Sequence, residues 1–293
     1  MIQPLLKDLK PVCASCVQSG VVKKIYKFLN NSIEVSKLKC DEFLPEIAQK
    51  AKLIPLYHKG NEISVLDFNP QKSDKYLLFF HGNAANVSTY QELYTAFADK
   101  NVGVLALEYS GYGLNPAQKF DEARLLEDAE GAYNYLIKDK KINPKNIVVV
   151  GHSLGGNVAT NFVSRHNEIN SLILAAPLVS AQYIGEKIYI NRKIGIGVNE
   201  KLIDIFLDPV RKIYSNVSLL NTLSKLNKVK TPIYYLQTKD DIFTTYEGAN
   251  VFVSKAKDMG LINQYKVFEK GGHKYNKQMI DKTLEYVEEI FNK

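Results

Sequence analysis

The chain has 293 residues, 45% of them apolar, a formal net charge of +7, three cysteines and no tryptophan. This length and apolar content suffice for one large buried core and exclude an intrinsically disordered chain, and three cysteines are too few for a disulfide scaffold. No apolar run approaches the roughly 18 residues needed to span a bilayer and the N-terminus lacks a signal peptide's apolar core, so a soluble protein in a reducing, cytosolic setting is expected.

Residues 1–50 read as a basic, partly helical extension. Its first forty residues carry Lys7, Lys10, Lys23, Lys24, Lys27, Lys37 and Lys39 against Asp8 and Glu34, which places +5 of the net +7 there. Val21, Val22, Ile25, Tyr26, Phe28 and Leu29 interleave with these lysines. That pattern suits a helix packed on the domain with its lysines in water, or peripheral contact of residues 1–40 with an anionic membrane. Few arginines and no recognised binding motif argue against nucleic acid as a partner. Cys13 and Cys16 form a lone Cys-x-x-Cys, followed by Cys40. Without a second ligand pair this is weak evidence for zinc, and acylation of thiols beside a basic stretch is the alternative use.

From residue 51 onward a single α/β domain is expected. Strand patterns fall at 62–68, 76–80, 102–109, 146–150, 171–175, 232–237 and 264–268, separated from Ser88 onward mostly by helical patterns. This alternation predicts a mostly parallel central sheet flanked by helices, with function on loops at the strands' C-terminal ends. Leu125, Leu126, Ala129, Ala132, Tyr133, Leu136 and Ile137 make one apolar helix face, and Ile280, Leu284, Val287 and Phe291 another. The stretch at about 178–230 is too long for a simple crossover and reads as a lid inserted before the acid-bearing strand. Its Tyr183, Ile184, Ile188, Tyr189, Ile205, Phe206 and Leu207 either line an acyl-chain pocket or pack crossover helices onto the core.

The most informative segment is Ile147 to Gly156, an apolar strand that ends in Gly-His-Ser-Leu-Gly-Gly and runs into a helical pattern. A serine on a sharp strand-to-helix turn, flanked by residues lacking Cβ, is a nucleophile elbow, with Ser153 as the nucleophile. Such a serine needs a histidine to take its proton and a carboxylate to orient that histidine, in the chain order Ser, acid, His. Of the five histidines, His58 and His81 precede the serine, His152 lies inside the elbow and His166 near the end of its helix. His273, on a loop after a strand, remains as the general base. The strand at 232–237 runs into a loop with Asp240 and Asp241. Asp240 is the expected acid, three residues past Gln237 in a Gly-x-x-Asp-x-x-Val-like layout in which Gln and Phe243 replace Gly and Val; Asp241 is the alternative. The loop His81-Gly-Asn-Ala-Ala-Asn86 follows the strand at 76–80, and its small residues let backbone amides approach a substrate carbonyl. The N–H groups of Asn83 and Leu154 are the expected oxyanion donors.

With these motifs, together with Glu108-Tyr-Ser-Gly-Tyr-Gly113 and Gly272-His273, residues from about 60 to 293 resemble the α/β-hydrolase superfamily. The resemblance is to a branch that includes protein depalmitoylases and bacterial esterase-like proteins. It implies the α/β-hydrolase fold, a Ser153–Asp240–His273 triad, no metal or organic cofactor, and a small-molecule, lipid or acyl-protein substrate. The expected reaction is cleavage of a carboxylic ester or thioester through an acyl-enzyme on Ser153. A serine peptidase of the same fold and a non-catalytic binding scaffold are the rivals.

Overall fold

The computed structural model describes residues 43–113, 115, 121–179 and 222–292. The lid expected at about 178–230, apart from its ends, the basic segment 1–40 and all three cysteines lie outside the described residues.

Eight strands form one sheet: β1 (Ala51–His58), β2 (Asn61–Phe68), β3 (Tyr76–Phe80), β4 (Gly103–Glu108), β5 (Ile147–His152), β6 (Ser171–Ala175), β7 (Ile233–Thr238) and β8 (Ile262–Phe268). Their spatial order is β1-β2-β4-β3-β5-β6-β7-β8. Only β2 runs antiparallel to its neighbours β1 and β4; the pairs from β4 to β8 are all parallel. The helices are α1 (Pro45–Ala48), α2 (Gln91–Phe97), α3 (Glu122–Asn134), α4 (Leu154–Val163), α5 (Tyr246–Asp258) and α6 (Lys277–Phe291).

The central strands are buried on both faces, which is why they read as unbroken apolar runs. Their side chains alternate between two cores. Tyr76, Leu78 and Phe80 of β3 join Ile147 and Val149 of β5 and Leu172 and Leu174 of β6 on the face covered by α3, α4 and α5. Leu77 and Phe79, Val148 and Val150, and Ile173 and Ala175 point to the face covered by α1, α2 and α6. Ile47 of α1 is buried in that second core, so the boundary expected at residue 51 falls inside the packed body.

The strand β1 is absent from the sequence-based assignment. It is an edge strand whose burial alternates along its length, and it contains Pro55, a residue that cannot donate to a ladder and is tolerated only at such an edge. The other seven strands fall within two residues of their expected limits. The chain leaves β3 toward β4 on one side and later places β5 on the other, so β3 marks a topological switch point. In open α/β sheets the crevice beyond such a point is where ligands bind. Among the described residues no helix is long and apolar enough to cross a membrane.

Candidate active site

The residues at the C-terminal ends of β3, β5, β7 and β8 converge. Ser153 follows β5 directly and is the N-cap of α4, with φ 54° and ψ −117°, a backbone conformation that L-residues rarely adopt. Two absent side chains permit this turn. A Cβ on Gly155 would collide with the carbonyl oxygen of Phe80 in β3, and one on Gly151 with the backbone of Gly155. The helix can therefore start hard against the sheet, leaving the serine hydroxyl above the strand ends.

His273 Nε2 lies 2.8 Å from Ser153 Oγ, and its Nδ1 lies 2.7 Å from Asp241 Oδ2. The structure thus brings together the expected nucleophile and base, and corrects the acid: Asp241, not Asp240, faces His273. The reason is where β7 ends. The strand continues through Thr238, and the turn at Lys239 and Asp240 leaves Asp240 exposed while Asp241 turns inward. Asp240 instead accepts from the amides of Gly271 and Gly272 at 3.1 and 2.8 Å, so it ties down the loop that carries His273.

Asp241 is held at every oxygen. Its Oδ1 accepts from the amides of Phe243 and Thr244, and its Oδ2 from the Thr244 hydroxyl at 2.7 Å as well as from His273. Burial favours its neutral form, but the His273 contact and the Thr244 bonds outweigh that and hold its pKa below the usual carboxylate value. The anion is therefore in place to fix the imidazole with Nδ1 as donor and Nε2 free to accept from the serine.

Gly82 packs against the elbow closely enough that a Cβ there would sit 3.4 Å from Ser153 Cβ. Asn83, next in the chain, accepts a hydrogen bond at Oδ1 from the Tyr112 hydroxyl at 2.9 Å, and Leu154 is the buried first residue of α4. The loop's root is braced by buried side chains. His81 Nδ1 donates to the Gly82 carbonyl at 2.8 Å, His81 Nε2 lies 3.2 Å from Glu108 Oε1, and Glu108 Oε2 accepts from the Val87 amide at 3.1 Å. The motif at 108–113 serves this brace: Gly113, at φ 51°, has no Cβ, and one there would strike the Glu108 carboxylate.

Several participants escape sequence reasoning. Thr244 shows no distinguishing pattern. Tyr90 and His152 meet across 62 positions of sequence, with Tyr90 Oη 2.9 Å from His152 Nδ1. His166, just beyond the C-terminal end of the helix that Ser153 caps, pairs with Glu130 and Glu168. Among the described residues no group of three or more His, Cys, Asp or Glu side chains is placed to hold a metal ion.

A strained serine between sheet and helix, hydrogen-bonded to a histidine that is itself bonded to a buried aspartate, is the geometry of an activated nucleophile. Residues 71–195 match the Hydrolase_4 family, described as serine aminopeptidase, S33. An esterase structure from Pyrococcus furiosus superposes with a TM-score of 0.66 over 86% of this chain and 95% of that one, at 17% identity. The chain has the α/β-hydrolase fold. A Mycoplasma pneumoniae protein named for the esterase/lipase class is 29% identical over 126 residues, 42% of this chain and 46% of that one. Human alpha/beta hydrolase domain-containing protein 17B is 26% identical over 197 residues, 66% of this chain and 60% of that one. The chain spans about half the length of the first curated relatives it matches.

Proposed function

We propose that this α/β hydrolase is a cofactor-independent serine hydrolase that cleaves a carboxylic ester or thioester of the acyl-lipid or acyl-protein type. The observation that carries this reading is the unbroken line Ser153 Oγ, His273 Nε2, His273 Nδ1, Asp241 Oδ2, with contacts of 2.8 and 2.7 Å. His273 takes the Ser153 proton as Oγ attacks the acyl carbon. The amides of Asn83 and Leu154 hold the oxyanion, and His273 then delivers the proton to the departing alcohol or thiol. Water, deprotonated by His273, attacks the acyl-enzyme and releases the acid and free Ser153. Asp241 remains ionised throughout and stabilises the transient imidazolium. Contact of residues 1–40 with an acidic lipid surface is a further part of the proposal and rests on their lysine pattern alone.

A second reading, a serine peptidase, draws on the description of the family matched at residues 71–195. Wild-type protein and Ser153→Ala are labelled with a fluorophosphonate probe and assayed on p-nitrophenyl esters of rising acyl length, an acyl-thioester and an aminoacyl amide. Serine-dependent labelling with ester or thioester turnover is expected, and Ser153→Ala should lose about a millionfold in kcat. Preferential turnover of the amide would move the assignment to a peptidase. Absence of labelling in folded wild-type protein would leave a non-catalytic scaffold.

A further inference from the structure

The residue before the nucleophile has no role in the acyl-transfer chemistry above, yet its side chain joins two parts of the machinery. His152 is buried, and both ring nitrogens are engaged. Nε2 lies 3.0 Å from the main-chain carbonyl oxygen of His273, and Nδ1 lies 2.9 Å from the Tyr90 hydroxyl. A carbonyl can only accept, so Nε2 carries the hydrogen and Nδ1 accepts from Tyr90. The Tyr90 oxygen in turn accepts from the amide of Gly82 at 2.9 Å. A single run of hydrogen bonds therefore leads from the residue preceding Asn83, through Tyr90 and His152, to the backbone of the base.

The run is packed from several sides. The Tyr275 ring, two residues beyond His273, stacks on His152 at 5.5 Å and 26°, and the His273 ring lies 5.3 Å away. Tyr90 is set edge-on to Phe79 of β3 at 4.7 Å. Burial first, and then the charge that His273 can carry, pull the His152 pKa down to about 3, against weaker opposing effects from the His273 carbonyl and Asp241. The ring is therefore neutral at physiological pH, in the state that one donor and one acceptor require.

We propose that His152 is a positioning residue which, with Tyr90 as its relay, holds the oxyanion loop in register with the general base. This rests on the serine-hydrolase reading above. Attack on a carbonyl needs the serine oxygen, the base and the oxyanion amides fixed together, and displacement of such a group by about 1 Å lowers turnover about a hundredfold. Removing His152 releases the His273 carbonyl and strips Tyr90 of its acceptor. The Gly82 amide and the His273 loop then move independently.

The test uses His152→Leu, His152→Gln, Tyr90→Phe and the Leu/Phe double variant. Turnover of p-nitrophenyl butyrate is measured together with Tm and the low-field proton resonance of His273 Nδ1–H, which reports its bond to Asp241. His152→Leu should lower kcat by about 30- to 100-fold with KM nearly unchanged. Glutamine reaches the position of Nε2 and restores the donor to the His273 carbonyl, so His152→Gln should recover much of that loss. Tyr90→Phe should lower kcat by about tenfold and shift the His273 resonance, an effect that reaches His273 through His152. Because the two act in series, the double variant should be no worse than His152→Leu. A role confined to packing would lower Tm and leave kcat, the resonance and the glutamine rescue unmoved, and that result overturns the proposal, as do single effects that simply multiply. If the leucine variant does not fold, the glutamine and phenylalanine variants decide. Should wild type hydrolyse none of the substrates, the hydrolase reading has failed, and the positioning role then stands or falls on whether Tyr90→Phe shifts the His273 resonance.

Discussion

Asp240 and Asp241 are adjacent in the chain and attach to the same loop by different means: Asp241 grips the His273 ring from a buried position, while Asp240 grips the Gly271 and Gly272 amides from solvent. Their removal should therefore have unequal effects. Asp241→Asn leaves the side-chain volume but disturbs the tautomer and charge at His273, and kcat should fall about ten-thousandfold. Asp240→Asn retains an acceptor for the glycine amides, and kcat should change by less than about tenfold. Steady-state ester hydrolysis by the two variants checks the order, and an equal loss would put the acid assignment in error.

Tyr112 holds Asn83, whose amide is a proposed oxyanion donor, through its hydroxyl at 2.9 Å. Tyr112→Phe keeps the ring against His81 and removes only that bond. The expected loss is about two- to tenfold in kcat, the equivalent of one net hydrogen bond of about 0.5–1.5 kcal/mol, with little change in Tm. Single-turnover acylation rates would separate this from an effect on product release.

The elbow has no room for a methyl group at Gly155, where the obstacle is the backbone oxygen of Phe80 rather than a flexible side chain. Gly155→Ala must push α4 off β3 or distort the turn. A destabilisation of about 1–3 kcal/mol is expected, with loss of probe labelling at Ser153 even at temperatures where the variant stays folded. Urea titration and labelling of the same sample would test both halves.

Away from the site, His166 sits between Glu130 at 2.9 Å and Glu168 at 3.0 Å, with Arg165 also 3.4 Å from Glu130 and Tyr133 bonded to Glu168. Burial disfavours the His166 charge, but the bonds and charges of Glu130 and Glu168 outweigh it and raise its pKa, while the pKa values of both glutamates are lowered. For the histidine, the stabilisation is complete below the unfolded-state value of about 6.5 and disappears as pH rises through the higher folded value. For the glutamates, it is present above their unfolded value of about 4.3 and is lost as pH falls through their lower folded values. The cluster thus supports the fold most in mildly acidic solution. The Tm of wild type should fall between pH 6 and pH 8 by more than that of His166→Gln, and parallel curves would remove the cluster from the stability account.

How much of this was legible in the sequence follows from burial. Strands covered on both faces leave continuous apolar runs, and β3 through β7 could be read within two residues. β1, half-exposed and carrying Lys52 and Pro55, left no such run. The meeting of Ser153 and His273 was legible because a glycine-flanked turn and a shortage of histidines each narrow the choice to one residue. The carboxylate that meets His273 was not, since the choice between Asp240 and Asp241 depends on β7 reaching Thr238 and on how the next two residues turn. The Tyr90–His152 contact lay further still from view, because no local pattern joins the turn before α2 to the end of β5.

The backbone of Ser153 carries one more implication. A residue held at φ 54° and ψ −117° stores conformational energy on the order of 1–3 kcal/mol, which glycine would not incur. Ser153→Gly should therefore relieve that strain, offset in part by the greater freedom glycine has in the unfolded chain, about 0.5–1 kcal/mol. The fold would tolerate, and even favour, a chain without the proposed nucleophile. The proposed chemistry would thus be carried at a position where serine costs the fold stability.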